Sequence, residues 1–494
     1  MAATRTGPSF LATRRGKLTL ALLCAIAFLD FIDASIVNIA LPDIRTDLGF
    51  SVQNLQWVLS GYLLTYGGFM LLGGRAGDLL GRRRVLVTGT ALFAVSSLVG
   101  GLAQNGGTLV GARLAQGLGA ALMLPAALSF LTTLFPDGKD RHTALGVWGG
   151  VAGLASAAGV FLGGILTEGP GWRWVLFVNP PIAGLLLLAV AALLPDGRDH
   201  VSRAGFDIFG TVLVTGGMLL LVYALVEAPD HGWGSASVIG ELVAAGVLLA
   251  AFVVNEQRTA NPLVPLSIFR VRGLAAADTA QLLALAGFLA MFFFLTLYMQ
   301  NVLGYSPLRT GAAYLPLCGG VAVSAGISSQ LLARVGTRPV IITGAVVAAA
   351  GLMLLARVPV DGSYLSDLFP GLMVVSVGLG GVFVSVTTAA NAGVPADKAG
   401  LAAALLNASQ QVGGALGLAI LTAIATSRTN HQFAAHADPA HALTSGFHRA
   451  LFTGAIFVLA TAVVALRTTN SRGEEPEPDA RELREGMVKA PTSV

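Results

Sequence analysis

The sequence has little charge and almost no cysteine, and each shortage excludes a class of protein. Only 11% of the 494 residues are charged, well below the roughly 25% of an ordinary soluble domain. Cys24 and Cys318 both lie in apolar runs, so we expect neither a disulfide framework nor a cysteine metal site. The net charge of +4 comes from basic residues scattered between apolar runs. Without a basic stripe, no nucleic-acid partner is expected.

Long apolar runs are the dominant feature of the chain. A helix needs about 20 mostly apolar residues to cross a bilayer. Because the runs are continuous and do not alternate between polar and apolar residues, they predict helices and exclude a membrane barrel. We expect an all-α polytopic membrane protein with fourteen spans, near residues 18–41, 53–73, 85–103, 108–134, 143–166, 175–194, 207–226, 236–254, 274–301, 311–333, 339–356, 368–390, 400–426 and 449–466.

The basic residues predict how these spans are oriented. Most of the 30 lysine and arginine residues fall in the tails and in alternate loops, and such residues are in excess on the cytoplasmic side. Both termini are therefore expected in the cytoplasm. His431, His436 and His441 are expected in the outer loop before the last span, with His448 following. The five-residue spacing of the first three does not favour convergence on a metal.

An internal repeat predicts the organisation of the spans. The segment 78–89, DLLGRRRVLVTG, is similar to the segment 330–344, QLLARVGTRPVIITG. Each copy joins the second and third spans of a six-span set. Parallel repeats of this kind are found in transporters whose halves move around a site at the bilayer midplane. We expect a cytoplasmic tail over 1–17, a six-helix bundle over 18–200, a two-helix hairpin over 201–258, a second six-helix bundle over 259–468 and a disordered cytoplasmic tail over 469–494.

Three charged residues lie deep within spans, where lipid makes them costly. Asp30 and Asp33 are three residues apart near the middle of the first span, and Arg113 lies in the fourth. Burial and a neighbouring carboxyl both favour a neutral acid, which suits proton coupling. A polar packing contact between helices is the alternative for the aspartates, and a structural arginine held by helix-end carbonyls is the alternative for Arg113.

Other polar and aromatic residues in the spans are candidates for a substrate cavity. Asn407 and Gln411 share one helix face and either line a cavity or form hydrogen bonds between helices. The aromatic run 292–294 and Tyr298 either stack on an apolar ligand or, by default, contact lipid. We also take Asn38 and Gln116, which neighbour the charged residues, as candidate substrate ligands.

Several motifs resemble those of one known family, the fourteen-span drug:proton antiporters of the major facilitator superfamily. The segment GRAGDLLGRRR at 74–84 is similar to the superfamily's motif between spans two and three. The segment DASIVNIALP at 33–42 resembles the first-span motif of the fourteen-span branch, and RLAQG at 113–117 resembles the fourth-span motif linked to proton coupling. One departure is that Val160 follows Gly159 where the fifth-span antiporter motif usually has proline.

The resemblance implies the major facilitator fold, with two six-helix bundles and a two-helix insert, in the cell membrane of a bacterium. It implies roles for Asp33 and Arg113 in proton coupling, with Asp30 as a further candidate outside the motif. It also implies a cytoplasmic gate formed by Gly74, Asp78, Gly81, Arg82 and Arg83.

The function implied is proton-driven export of amphipathic or cationic drugs by alternating access, without enzymatic activity, cofactor or metal. Its partners would be a small-molecule substrate, protons and the lipid bilayer, with the monomer as the functional unit. One alternative is an exporter dedicated to a single metabolite or lipid. An alternative of another class is a membrane sensor or assembly partner that transports nothing, which would require an output domain that the short loops cannot hold.

Overall fold

The computed structural model describes residues 10–135, 139–195, 207–260, 262–395 and 398–472. The predicted all-helical fold is confirmed, because this part of the chain contains fourteen helices long and apolar enough to cross a membrane. They are α1 Arg14–Leu48, α2 Trp57–Leu80, α3 Arg82–Gly101, α4 Gly106–Leu134, α5 Lys139–Glu168, α6 Asn179–Leu193, α7 Ile208–His231, α8 Ala236–Arg258, α9 Leu274–Leu297, α10 Pro307–Val335, α11 Thr337–Leu355, α12 Phe369–Asn391, α13 Ala399–Ala434 and α14 Pro439–Ala465.

Short helices adjoin some of these spans: Val52–Leu55 precedes α2, Trp174–Phe177 precedes α6 and the π-helical turn Tyr364–Leu368 precedes α12. The π-helical turn Tyr298–Val302 follows α9. We define the inner end of the molecule as the end at which α1 begins, which the basic residues predict to be cytoplasmic. The opposite end is the outer end.

The placement of the histidines in one outer loop is wrong. His431 lies in α13, and both His441 and His448 lie in α14, which begins ten residues before the predicted last span. Only His436 lies between the two helices. Hydropathy did not predict helix in this segment because its residues are polar. The two helices extend beyond their apolar stretches into this polar sequence.

The predicted repeat coincides with two equivalent turns. Gly81 alone separates α2 from α3 with φ +93°, and Gly336 alone separates α10 from α11 with φ +85°. Residues other than glycine rarely adopt these angles. The correspondence between the two copies extends one helix further. Gly89 of α3 packs against the backbone of α4, and Gly344 of α11 packs against the backbone of α12.

The helices form two bundles, α1–α6 and α9–α14, that meet along two seams. In one seam α2 packs against α13, and in the other α5 packs against α10. Helix α7 packs on both α2 and α13 and so covers the first seam, whereas α8 packs mainly on α7. Little of α8 is buried in the protein, and most of its apolar surface is left for lipid.

The bundles contact each other at their outer halves. Gly164 of α5 and Gly311 of α10 each face the backbone of the other helix closely, and the backbone N–H of Leu308 donates to the Glu168 carboxylate at 3.0 Å. Further towards the inner end of α5, a Cβ at Gly149 or Gly153 would meet no atom within 4 Å. Along the seam between α5 and α10, the bundles are therefore in contact at the outer end, and α5 has no close neighbour at these glycines further in.

The close glycine contacts predict the effect of a single added methyl group. A Cβ at Gly89 would lie 2.7 Å from the Met123 nitrogen, and one at Gly344 would lie 2.7 Å from the Gly378 carbonyl oxygen. We expect Gly89→Ala and Gly344→Ala each to cost about 1–3 kcal/mol through overpacking and to lower the melting temperature of the detergent-purified protein.

The matched control is Gly240→Ala in α8, where an added Cβ meets no atom within 4 Å. This change should leave the melting temperature unchanged or raise it, because alanine favours a helix over glycine. Equal effects of the three substitutions would contradict the packing described above.

Candidate functional site

A buried ion pair lies at the centre of the first bundle. Nη1 of Arg113 in α4 donates to a carboxylate oxygen of Asp33 in α1 at 2.6 Å. The other Asp33 oxygen accepts from the Gln116 amide at 2.9 Å and from the Asn179 amide at 2.6 Å. All four residues are 0% exposed. Both Asp33 oxygens thus act only as acceptors, as in an ionised carboxylate.

A second set of contacts holds the arginine and the asparagine in place. Nε of Arg113 donates to the Val58 carbonyl at 3.0 Å, and the guanidinium lies 4.3 Å from the centre of the Tyr62 ring. The Asn179 amide also donates to the Ser97 hydroxyl at 2.9 Å. The ion pair therefore ties together α1, α2, α3, α4 and the start of α6.

Asp30 lies one helical turn before Asp33 and has different partners. Tyr62 donates to one oxygen of Asp30 at 2.6 Å and Tyr66 donates to the other at 2.9 Å. Both tyrosines belong to α2, and Asp30 is 2% exposed. Asp30 thus has neutral hydrogen-bond partners, whereas Asp33 has a cation.

Close packing of α2 on α4 brings Arg113 to this place. A Cβ at Gly117 would clash with the Tyr62 carbonyl, so the two helices can approach this closely only at a residue without a side chain. The Thr65 hydroxyl donates to the Leu114 carbonyl at 2.8 Å across the same contact. Arg113 therefore stands over Tyr62 and faces α1.

Asn38 lies further along α1, where the two bundles meet. Its amide donates to the Thr296 hydroxyl at 3.0 Å and to the Phe292 carbonyl at 3.3 Å, both in α9. Its side-chain oxygen is buried without a partner among the described residues. The Tyr314 hydroxyl completes this junction, 3.1 Å from Thr296 and donating to Phe292.

Aromatic side chains cluster beside this junction. Phe292 packs on Phe288 and on Tyr314 with ring centroids 4.9 and 4.7 Å apart, and Phe288 packs on Phe383 of α12 at 5.6 Å. We call these four residues the aromatic cluster. The default expectation of lipid contact is wrong for Phe293 and Phe294, which are fully buried within the second bundle.

The remaining predicted substrate ligands do not come together at one place. Gln116 belongs to the Asp33 network, and the Tyr298 hydroxyl donates to the Pro359 carbonyl within the second bundle. The Asn407 amide donates to Ala403 of its own helix. Gln411 lies in the seam between α2 and α13, where its Cβ faces Gly67.

The predicted gating motif lies at the inner end of α2 and the start of α3. Arg75, within this motif, donates from Nη1 to the Pro262 carbonyl at 3.1 Å, in the segment between α8 and α9. Arg83 donates to the Ala191 carbonyl of α6 at 3.0 Å. The backbone of Asp78 is helical, but its side chain lies outside the described part of the structure.

The motif's other members lie in α2 and in the turn that follows it. Gly74 faces Pro125 of α4, and Gly81 forms the turn that leads into Arg82 at the start of α3.

Four residues of the polar network were not predicted as site residues: Tyr62, Tyr66, Ser97 and Asn179. They share their spans with other polar residues, such as Thr65 between the two tyrosines and Ser96 beside Ser97. The only sequence signal for Asn179 is its position in the segment NPP at 179–181, and none separates Tyr62 from the chain's other tyrosines. Their contacts depend on which helix faces meet, which hydropathy does not report.

Substitution of Arg113 tests how much the buried ion pair contributes to the stability of the fold. Arg113→Leu leaves the Asp33 carboxylate buried without a cation, a loss of about 3–5 kcal/mol in comparable pairs. We expect a clear fall in melting temperature, partly restored in the double variant with Asp33→Leu.

The control is Arg173→Leu, since Arg173 pairs with Asp47 at 2.6 Å on the surface, where the two side chains are 37% and 44% exposed. Exposed pairs contribute about 0–1 kcal/mol. If Arg113→Leu were no more harmful than Arg173→Leu, the central role of the pair would be contradicted.

Comparison with known proteins agrees with this architecture. Residues 23–418 match the family model described as Major Facilitator Superfamily. The chain is 40% identical over 462 residues to the puromycin resistance protein of Streptomyces alboniger, covering 92% of each. It is 38% identical over 465 residues to the cephamycin export protein of Amycolatopsis lactamdurans, covering 94% of each.

Solved structures show the same fold at low identity. A bacterial homolog of the human lysosomal transporter Spinster, in an inward-facing and unoccupied conformation, matches with a TM-score of 0.65 and 15% identity, over 92% of this chain and 97% of that one. The xylose transporter XylE from E. coli, inward open, matches with a TM-score of 0.60 and 12% identity, over 94% of this chain and 98% of that one.

The family predicted from the motifs is thus confirmed. With its fourteen membrane helices and bacterial relatives, the chain is a multi-pass transporter of the bacterial cell membrane, not an enzyme, and it belongs to the Major Facilitator Superfamily.

Proposed function

We propose that this transporter exports amphipathic or cationic small molecules from the cell in exchange for protons. The observation that carries the proposal is the buried pair of Asp33 and Arg113, with Asp30 one turn away. Ionisable residues inside a membrane bundle are costly and usually serve proton or ion movement. The names of the relatives, a resistance protein and an export protein, support the direction of transport.

The two carboxyls would take up a proton with different consequences. A proton on Asp33 would remove the partner of the Arg113 charge and favour separation of the two side chains. A proton on Asp30 would leave no charge unpaired, because its partners are the hydroxyls of Tyr62 and Tyr66. We propose that Asp30 and Asp33 share the transported proton and that its arrival at Asp33 changes the structure.

Helix α1 connects this change to the contact between the bundles. Asn38 lies five residues beyond Asp33 on α1 and is hydrogen bonded to Thr296 of the second bundle. A movement of α1 on release of Arg113 would therefore alter a contact that closes the outer end. Only a ligand or proton that binds the two states unequally can shift their populations.

The aromatic cluster is the best candidate surface for an apolar substrate. Phe288, Phe292 and Phe383 are half-buried and belong to helices that surround the junction at Asn38. Aromatic faces bind apolar groups and cations alike. This supports amphipathic or cationic molecules as the substrate class.

At the inner end, the motif from Gly74 to Arg83 would act as the gate. Arg75 reaches the segment before α9, so it joins the first bundle to the chain that leads into the second. Loss and formation of such contacts would accompany closure of the inner end. We propose that one chain suffices for the cycle, because both bundles and both seams belong to a single chain.

Proton exchange predicts a measurable flux in inside-out vesicles with an acidic interior. Addition of ethidium, a lipophilic cation, should cause protons to leave vesicles that contain the wild-type protein. Asp33→Asn should abolish this response, because the amide cannot release a proton. The measurement is the recovery of fluorescence of a pH-sensitive dye inside the vesicles.

The matched control is Asp361→Asn, which removes an exposed carboxyl between α11 and α12. This variant should respond like the wild type. A response of Asp33→Asn equal to that of the wild type would refute the assigned role of Asp33. A wild-type response missing for every compound that the protein exports would refute proton exchange itself.

A second candidate is an exporter of one compound, which is favoured by the naming of these relatives for single antibiotics. A susceptibility panel of chemically varied toxic compounds separates the two. Broad export predicts a higher inhibitory concentration for several unrelated amphipathic compounds in cells that express the protein. Protection against one chemical class alone would favour the dedicated exporter.

A further inference from the structure

A buried carboxyl that the mechanism above does not use lies in the second bundle. Asp278 in α9 is 7% exposed, and Gln281, three residues later, is 0% exposed. Neither oxygen of Asp278 and neither polar atom of the Gln281 amide has a hydrogen-bond partner among the described residues. Four polar atoms within one helical turn are therefore buried and unsatisfied.

A structural role for Asp278 is not evident from its surroundings. It is the fifth residue of α9, and the residue before the helix is Gly273, so the helix has no side-chain cap. The nearby basic residues in the sequence, Arg270 and Arg272, are exposed and precede the helix. An aspartate that stabilised the helix start would be expected to accept a backbone N–H.

The helical phase places Asp278 on the face of α9 that meets the first bundle further along the helix. Residues seven, fourteen and eighteen positions later fall within about 40° of the same helix face, and they are Leu285, Phe292 and Thr296. Thr296 contacts the first bundle through Asn38, and Phe292 belongs to the aromatic cluster. One face of α9 therefore carries a carboxyl near the inner end, aromatic rings in its middle and a contact between bundles beyond them.

Buried polar atoms without partners are costly, and an unpaired carboxylate more so. Such an arrangement is favourable if a ligand supplies the missing partners. An ammonium group offers several N–H donors and one positive charge, which matches two carboxylate oxygens and an amide oxygen.

We propose that Asp278 and Gln281 form a binding site for the ammonium group of a cationic substrate that enters from the cytoplasm. This inference rests on the proposed export of cationic or amphipathic molecules and names the residues that recognise the cation. In this site the Asp278 carboxylate and the Gln281 amide oxygen accept the N–H donors of the ammonium group.

The rest of the substrate would extend along α9 from Asp278 towards the aromatic cluster. Phe288 is ten residues beyond Asp278, about 15 Å at 1.5 Å per residue. A molecule of that length could place its amine at Asp278 and an aromatic group on the aromatic cluster. The site thus selects elongated amphipathic amines over neutral molecules of the same shape.

The test uses the purified full-length protein and two fluorescent probes of nearly the same shape. Monodansylcadaverine carries a primary ammonium group, and its N-acetyl derivative is neutral. The wild-type protein should bind the amine about tenfold more tightly than the amide, as expected for charge-assisted hydrogen bonds. Asp278→Asn should remove this preference and leave binding of the amide within about twofold of wild type.

Three further variants give a readout that misfolding would not mimic. Asp278→Glu, which keeps the carboxyl, should restore part of the preference for the amine, and Asp361→Asn should retain all of it. Gln281→Leu should weaken amine binding less than Asp278→Asn does. Melting temperatures of all variants show whether each remains folded.

The result that would overturn the proposal is an unchanged preference for the amine in Asp278→Asn, or equal binding of both probes by the wild type. These outcomes are independent of proton exchange, because the assay measures binding at equilibrium without a gradient. If the protein binds the amine through Asp278 but moves no protons in vesicles, this inference stands and the antiport proposed above is refuted.

Discussion

The buried pair of Asp33 and Arg113 is the interaction around which the first bundle is arranged. Because hydrocarbon offers no partner to a charge, both residues must be satisfied inside the protein. The amides of Gln116 and Asn179, the Val58 carbonyl and the Tyr62 ring supply most of what the pair itself leaves open, and Nη2 of Arg113 has no hydrogen-bond partner among the described residues. Loss or gain of one proton at Asp33 would therefore change contacts in five helices.

Glycine contacts let such a change reach the seams between the bundles. Gly117 allows α2 to approach α4 at Arg113, and Gly164 and Gly311 allow α5 to approach α10 at the outer end. Small residues are needed where helices in a membrane pack closely, because lipid supplies no hydrophobic drive between them. The contacts at the outer end and the space beside Gly149 are consistent with bundles that pivot on the outer halves of these helices.

Hydropathy predicted the fourteen helices because each membrane span needs a minimum length of apolar chain. It misplaced the start of α14, since helices continue beyond the apolar stretch and into polar sequence around His441. The cost of charge in lipid singled out Asp33 and Arg113, but their pairing and the tyrosine partners of Asp30 depend on helix packing. The sequence did not single out Asp278 because it lies near the end of a membrane helix, where a charge usually costs little free energy. Its burial in the structure shows that the cost is high.

The most direct test of the account is whether the Asp33 network controls the opening of the inner end. Spin labels at Val147 of α5 and Leu331 of α10, both exposed, would report the distance between the inner halves of these helices, after replacement of Cys24 and Cys318. In lipid nanodiscs, the wild-type distance distribution should shift between acidic and alkaline buffer, and the distribution of Asp33→Asn should not. A shift in Asp33→Asn equal to that in the wild type would contradict the claim that protonation at Asp33 moves the bundles.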